Sequence, residues 1–271
     1  MLLTTQIIFT SFHLLATVLA WFALFKKDTR LYRWVQTVFF LGFVTGFVEV
    51  LWQIFISLRV GFLPLAGSLE VMETLGWVLL TIGFYVWVKF RSYLIAASLL
   101  LLASVASIAA LLQLDKRIPY EGQLSAWLFV FHILILLFGI GSFCTAFFSG
   151  LLYLISKREL KAKKFGRFFP IFPPLEELDR LAVHSLVLGF FFLTGGIGTG
   201  IYLAHVFWHR DWLGDPKFIF SVVTWTWYLL LLWLRHQVGV RGGKFFALIV
   251  IGFTFLLFTF SISTLWGWPW T

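Results

Sequence analysis

Charge is what this chain has least of. Only 12% of its 271 residues are Asp, Glu, Lys or Arg, against about 25% in an ordinary soluble domain. Hydrophobic residues make up 61% and mean hydropathy is +0.95. A sizeable soluble domain is thereby excluded. Cysteine is nearly absent: Cys144 stands alone inside an apolar run. It can form neither an internal disulfide nor a CxxC redox pair. HExxH and other metal-ligand spacings are missing among the six histidines. The N-terminal MLLTTQIIFTSFHLL has no basic n-region and no small-residue cleavage site. It predicts a first spanning helix and not a cleaved signal. Tandem repeats and low-complexity tracts are missing as well.

What the chain has is apolar length. A helix needs about 20 apolar residues to cross a bilayer. Eight runs qualify: Leu2–Phe25, Trp34–Leu58, Val71–Val88, Tyr93–Leu114, Ser125–Ile155, Leu181–Phe207, Phe218–Leu234 and Phe245–Trp266. The fifth is too long simply to span, so it tilts or extends past the membrane. The expected fold is all-α: a polytopic membrane helix bundle of about eight transmembrane helices, with residues 1–271 as a single integral membrane domain.

The formal charge of +9 sits in short loops between apolar runs, so it reads as topology and not as a nucleic-acid surface. Sixteen Lys and Arg residues follow the first, third, fifth and seventh runs, and five lie on the other side. The first side is therefore predicted cytoplasmic. Both termini and the connection Trp208–Lys217 are then outside. In the long inner loop, Pro170, Pro173 and Pro174 turn the chain. The Leu-Glu-Glu-Leu after Pro174 predicts a new helix with acidic residues in its first turn.

Ionisable groups inside spanning helices each need a reason, because they cost roughly 2.5–3.5 kcal/mol at the centre. At a rise of ~1.5 Å per residue, His13 lies ~17 Å and Glu49 ~14 Å from the outer ends of their helices. The spacing predicts a His13–Glu49 contact, either as two satisfied polar groups or as a proton or ligand site. His132 follows Trp127 about two turns below the predicted outer surface. His205 and His209 stand at i, i+4 and share a face if the helix continues that far. Trp208 and Trp212 are candidates for the aromatic wall of a site or for an ordinary interfacial belt. A haem suits such a place, since it needs apolar and aromatic walls and an imidazole donor. Arg210 and Lys217 are at hand for its propionates. A quinone headgroup or a membrane lipid suits it almost as well.

Leu178 to Phe253 resembles the cytochrome c assembly proteins of the CcsA type, with the related HemX-like membrane proteins. The residues carrying the likeness are LDRL at Leu178–Leu181, LGF at Leu188–Phe190, the small-residue segment Gly195–Gly200, Trp208, Trp212, Asp215-Pro216-Lys217, Thr224-Trp225, Arg235, Arg241-Gly242 and Gly252-Phe253. Upstream, Pro64, Glu70, Trp77 and Leu124–His132 extend it. The resemblance implies haem handling at a tryptophan-rich outer loop, with haem b as the cofactor. It implies a CcsB- or ResB-type membrane protein and an apocytochrome c as partners, and a cytoplasmic (inner) membrane location. It assigns Trp208, Trp212 and Asp215 to the signature and His132 to an outer haem-ligating histidine. The sequence departs from the pattern at Trp212-Leu213-Gly214-Asp215, where the family has Trp-x-Trp-Asp. It also lacks the second outer histidine beyond the last helix, so His205 or His209 takes that ligand place. The alternative is a non-catalytic membrane subunit or assembly factor that keeps the fold and grips a protein partner.

Overall fold

The computed structural model describes residues 2–26, 29–112, 123–163, 166, 169–208 and 212–265. Among the described residues the chain is carried by eight α-helices: α1 (Leu2–Lys26), α2 (Thr29–Val60), α3 (Ser68–Tyr85), α4 (Tyr93–Leu111), α5 (Gln123–Ala162), α6 (Leu175–Trp208), α7 (Pro216–His236) and α8 (Gly243–Leu265). Each expected run falls within or largely along one of them. Seven are long and apolar enough to cross a membrane, and α8 adds a shorter apolar stretch, Gly243–Thr259. At 40 residues α5 is ~60 Å long, about twice the hydrocarbon core. It carries Lys157, Arg158 and Lys161 on its final turns. As the prolines predict, α6 starts directly after Pro174 with Glu176 and Glu177 in its first turn.

The chain divides into two compact units, Met1–Ile133 and Leu134–Thr271, with the division inside α5. In the first unit α1 packs on α4 and α2, and its Ala16, Ala20 and Ala23 are all fully buried. Small side chains let helix backbones approach where lipid supplies no hydrophobic drive. Gly76 serves the same end between α3 and α4: a Cβ there would lie 2.7 Å from Ser107 Oγ. A short π-helical turn, Val86–Phe90, ends α3, and left-handed Arg91 (φ 52°) reverses the chain into α4. Tyr32 stacks on Tyr93 at 4.6 Å, and the Trp87 ring lies 4.6 Å from Tyr93, which closes that end of the unit.

The second unit is built on rings. Phe143 of α5 lies flat on Tyr228 of α7, with centroids 3.9 Å apart and planes 9° from parallel. Phe147 stacks on Phe253 at 4.3 Å and Tyr153 on Phe246 at 3.9 Å, so α8 is held along α5. Gly189 on α6 makes room for Phe143, since a Cβ would lie 2.8 Å from its ring. Trp227 Nε1 donates to Leu248 O at 3.2 Å, and Trp225 Nε1 donates to Thr194 Oγ1 at 2.9 Å. Partly buried indoles find such acceptors.

Candidate functional site

The connection between α6 and α7 is short and defined by its caps. Helix α6 runs to Trp208. A 3₁₀ turn, Trp212–Gly214, follows. Asp215 then caps α7: its Oδ1 accepts from the Lys217 backbone N–H at 2.7 Å, with Pro216 in the first helical turn. Asp-Pro-Lys is thus a helix start. Aspartate satisfies a donor the helix leaves free, and proline gives up a hydrogen bond that position does not need.

Of the predicted site residues, His205 is exposed near the end of α6. Tyr202, one turn earlier, is 59% exposed on the same side of the helix. Trp208 ends α6 and Trp212 opens the 3₁₀ turn, so both belong to this one connection with Asp215. His209 and Arg210 lie outside the described residues. His132 is half-buried on α5, at the end of the first unit. Trp127 and Phe131, one turn apart just before it, are both more than half exposed. An imidazole beside outward-facing aromatic surface therefore occurs on α5 and again on α6. Each is an imidazole of the donor type that haem iron takes.

At the other ends of α6 and α7, Arg235 Nη2 donates to Asp179 Oδ2 at 2.5 Å. The Arg235 guanidinium also lies over the Phe245 ring at 4.9 Å. The pair ties α6, α7 and the start of α8 together across 56 residues of chain. Asp179, Arg180, His184 and Arg235 line an open cavity of about 730 Å³. Both members of the ion pair belong to segments that carry the family likeness, yet their pairing is not visible in one sequence.

The first unit holds a feature that the sequence reading only half found. The predicted His13–Glu49 contact does not form. His13 Nδ1 is bonded to Ser107 Oγ of α4 at 2.7 Å, and its Nε2 has no hydrogen-bond partner. Glu49 is hydrogen-bonded instead to Glu73 of α3. Gln53 Nε2 donates to Glu73 Oε2 at 2.6 Å, and Gln6 Nε2 reaches the same oxygen at 3.4 Å. Depth along a helix gives the level of a side chain but not its bearing. At this level α3 and α4 supply the partners. The signal that was missed is Glu70 and Glu73 at i, i+3, which share one face of α3.

Helices long and apolar enough to span, joined by basic connections, define the class: a multi-pass, all-α membrane protein. The particular kind follows from likeness. The chain belongs to the cytochrome C assembly protein family, whose model matches residues 65–268. It is 24% identical over 246 residues to the cytochrome c biogenesis protein CcsA of Guillardia theta, covering 82% of each chain. It is 26% identical over 257 residues to that of Trieres chinensis, again covering 82% of each. A shorter match, 34% identical over 116 residues, reaches the CcsA of Oryza sativa and covers 40% of this chain and 35% of the relative. No solved structure matches.

Proposed function

We propose that this protein acts in cytochrome c biogenesis by binding haem b and presenting it at the α6–α7 connection on the outer face of the cytoplasmic membrane. The observation that carries the reading is the family match running through that connection, from residue 65 to 268. Both termini lie outside by the distribution of basic residues, and residues 1–271 act as one integral membrane domain.

Each residue has a part. His132, and His205 or His209, are the residues that would offer imidazole nitrogens to the haem iron. Trp208 and Trp212 line the macrocycle. Asp215, by capping α7, fixes where the connection re-enters the membrane. Haem, when bound, supplies the vinyl groups that thioether attachment uses. The chain contributes orientation and a dry setting, and holding two reactants in place can lower a barrier greatly. A CcsB- or ResB-type membrane protein and an apocytochrome c are the partners.

A second reading is supported by one observation, the Leu213-Gly214 that stands where the family has a tryptophan. On that reading the protein is a non-catalytic assembly factor gripping a protein partner through the same connection. Deleting the protein from its host decides whether it serves cytochrome c maturation. The proposal expects covalent haem to vanish from c-type cytochromes while their polypeptides are still made. Unchanged covalent haem overturns both readings.

A further inference from the structure

We infer that the cavity where α6 starts and α7 ends seats the headgroup of one zwitterionic phospholipid, with its phosphate on Arg180 and Arg235 and its primary ammonium on Glu176. This does not rest on the haem reading. Arg180 is ~40 Å along α6 from Trp208 and the connection to α7.

The order of residues along α6 points to a lipid. Glu176, Arg180 and His184 stand at i, i+4 and i+8, and all three are exposed. Val187, Leu188 and Phe191 follow, at 38%, 37% and 77% exposure. At about 100° per residue, these six positions fall within about a third of the helix circumference. Leu178, Leu181, Ala182 and Leu186, on the other side of the helix, are buried. From the helix start inward the exposed stripe therefore reads acid, base, imidazole, aliphatic, aromatic. Phosphatidylethanolamine reads ammonium, phosphate, ester and acyl chain in the same order. Arg180 to Phe191 is ~16 Å, about half of a ~30 Å hydrocarbon core, which is the depth of one leaflet.

The cavity gives the headgroup a seat. It is open, holds about 730 Å³, and takes Glu176, Arg180 and His184 from α6 and Arg235 from α7 into its lining. Arg235 is fixed before any ligand arrives, by Asp179 on its Nη2 and by the Phe245 ring. Its Nη1 has no hydrogen-bond partner, and a phosphate oxygen is an acceptor that suits it. A guanidinium carries five N–H donors, so Arg180 can serve a phosphate beside any contact it makes within the chain. Two guanidinium groups alone would suit any phosphate. Glu176 and Glu177, which line the same cavity, narrow the choice. Carboxylates there repel further negative charge and attract an ammonium. Phosphatidylglycerol therefore fits less well than phosphatidylethanolamine, and a phosphate without acyl chains has nothing to lay on Val187, Leu188 and Phe191.

The test uses the purified full chain in nanodiscs of equal parts phosphatidylethanolamine and phosphatidylglycerol, with retained lipid read by native mass spectrometry. The natural chain should hold one phosphatidylethanolamine in preference to phosphatidylglycerol. Glu176→Gln should lose the preference but still hold a lipid. Arg180→Gln should lose most of the retained lipid, and Arg180→Lys should keep it. Both positions are exposed, so the helical circular dichroism of the variants should match the natural chain. In detergent, phosphatidylethanolamine should raise the melting temperature and soluble phosphorylethanolamine should not. An equal rise with phosphorylethanolamine would assign a site for free phosphate compounds and overturn the lipid. No retained lipid, no preference in the natural chain, a preference unchanged in Glu176→Gln, or full retention in Arg180→Gln would each overturn the inference.

Discussion

The two units solve the same problem with different chemistry. Both are helices in an apolar setting, where hydrophobic burial gives little preference for one helix contact over another. In the first unit the interior holds carboxyl, amide and imidazole groups that bond from helix to helix: Gln53 to Glu73, His13 to Ser107, and Thr17 to Ser104 at 2.9 Å. In the second, Ser142, Thr145 and Ser149 bond back to carbonyls of their own helix, at 2.7–2.9 Å. There, stacked rings choose most neighbours, with a few bonds between helices beside them, Arg235 to Asp179, Trp225 to Thr194 and Thr224 to Thr259. A hydroxyl can satisfy itself four residues back along its helix, so it demands no partner. A carboxyl or an amide cannot, and so it dictates one. Cover differs from helix to helix within each unit. In the spanning windows 61% of α3 and of α4 is buried but 33% of α2, and 56% of α5 but 28% of α6 and 17% of α7. The helices flanking the candidate connection therefore turn most of their surface outward.

Four substitutions break or sharpen this contrast. Phe143→Ala should have the largest effect, about 3–5 kcal/mol of stability, because it empties the ring stack at the centre of the second unit. Chemical denaturation followed by Tyr and Trp fluorescence would show it, and a loss below that of Gln53→Leu would sink the ring-stack account. Gln53→Leu should cost about 1–3 kcal/mol, since it strips Glu73 of its 2.6 Å bond from the amide. Were it neutral, the polar cluster would not hold the first unit. Asp215→Ala should cost about 1 kcal/mol, the worth of a helix cap. The start of α7 should then exchange its amide hydrogens faster than the rest of that helix. Ser149→Ala, which removes only a bond within one helix, should stay within about 0.5 kcal/mol. A larger loss would show that Ser149 does more than bond along its own helix.

Much of the fold was legible because run length is a strong signal. Where the structure extends a helix beyond its apolar run, it does so through residues such as Arg30, Arg33 and Lys161, which are good helix formers outside the hydrocarbon. The start of α6 was readable for the same local reasons, a proline followed by acidic residues. Partnership was not legible. His13 and Glu49 lie at matching depths, yet each turns to a third helix, because sequence spacing does not say which way a helix is rotated. Asp179 and Arg235 are separated by 56 residues, and no local pattern joins them. Of the candidate site, the residue types were readable, but the cap that Asp215 makes on α7 was not read from Asp-Pro-Lys. The pairing of His132 with His205 or His209 is a proposal drawn from the family likeness.

The most direct measurement is the visible absorption spectrum of the purified chain with haem b added, compared between the natural sequence and His132→Ala. The account predicts retained, six-coordinate haem in the natural chain and a spectrum changed to weaker or five-coordinate binding in the variant. Haem that washes away, or a spectrum indifferent to the loss of His132, would contradict it.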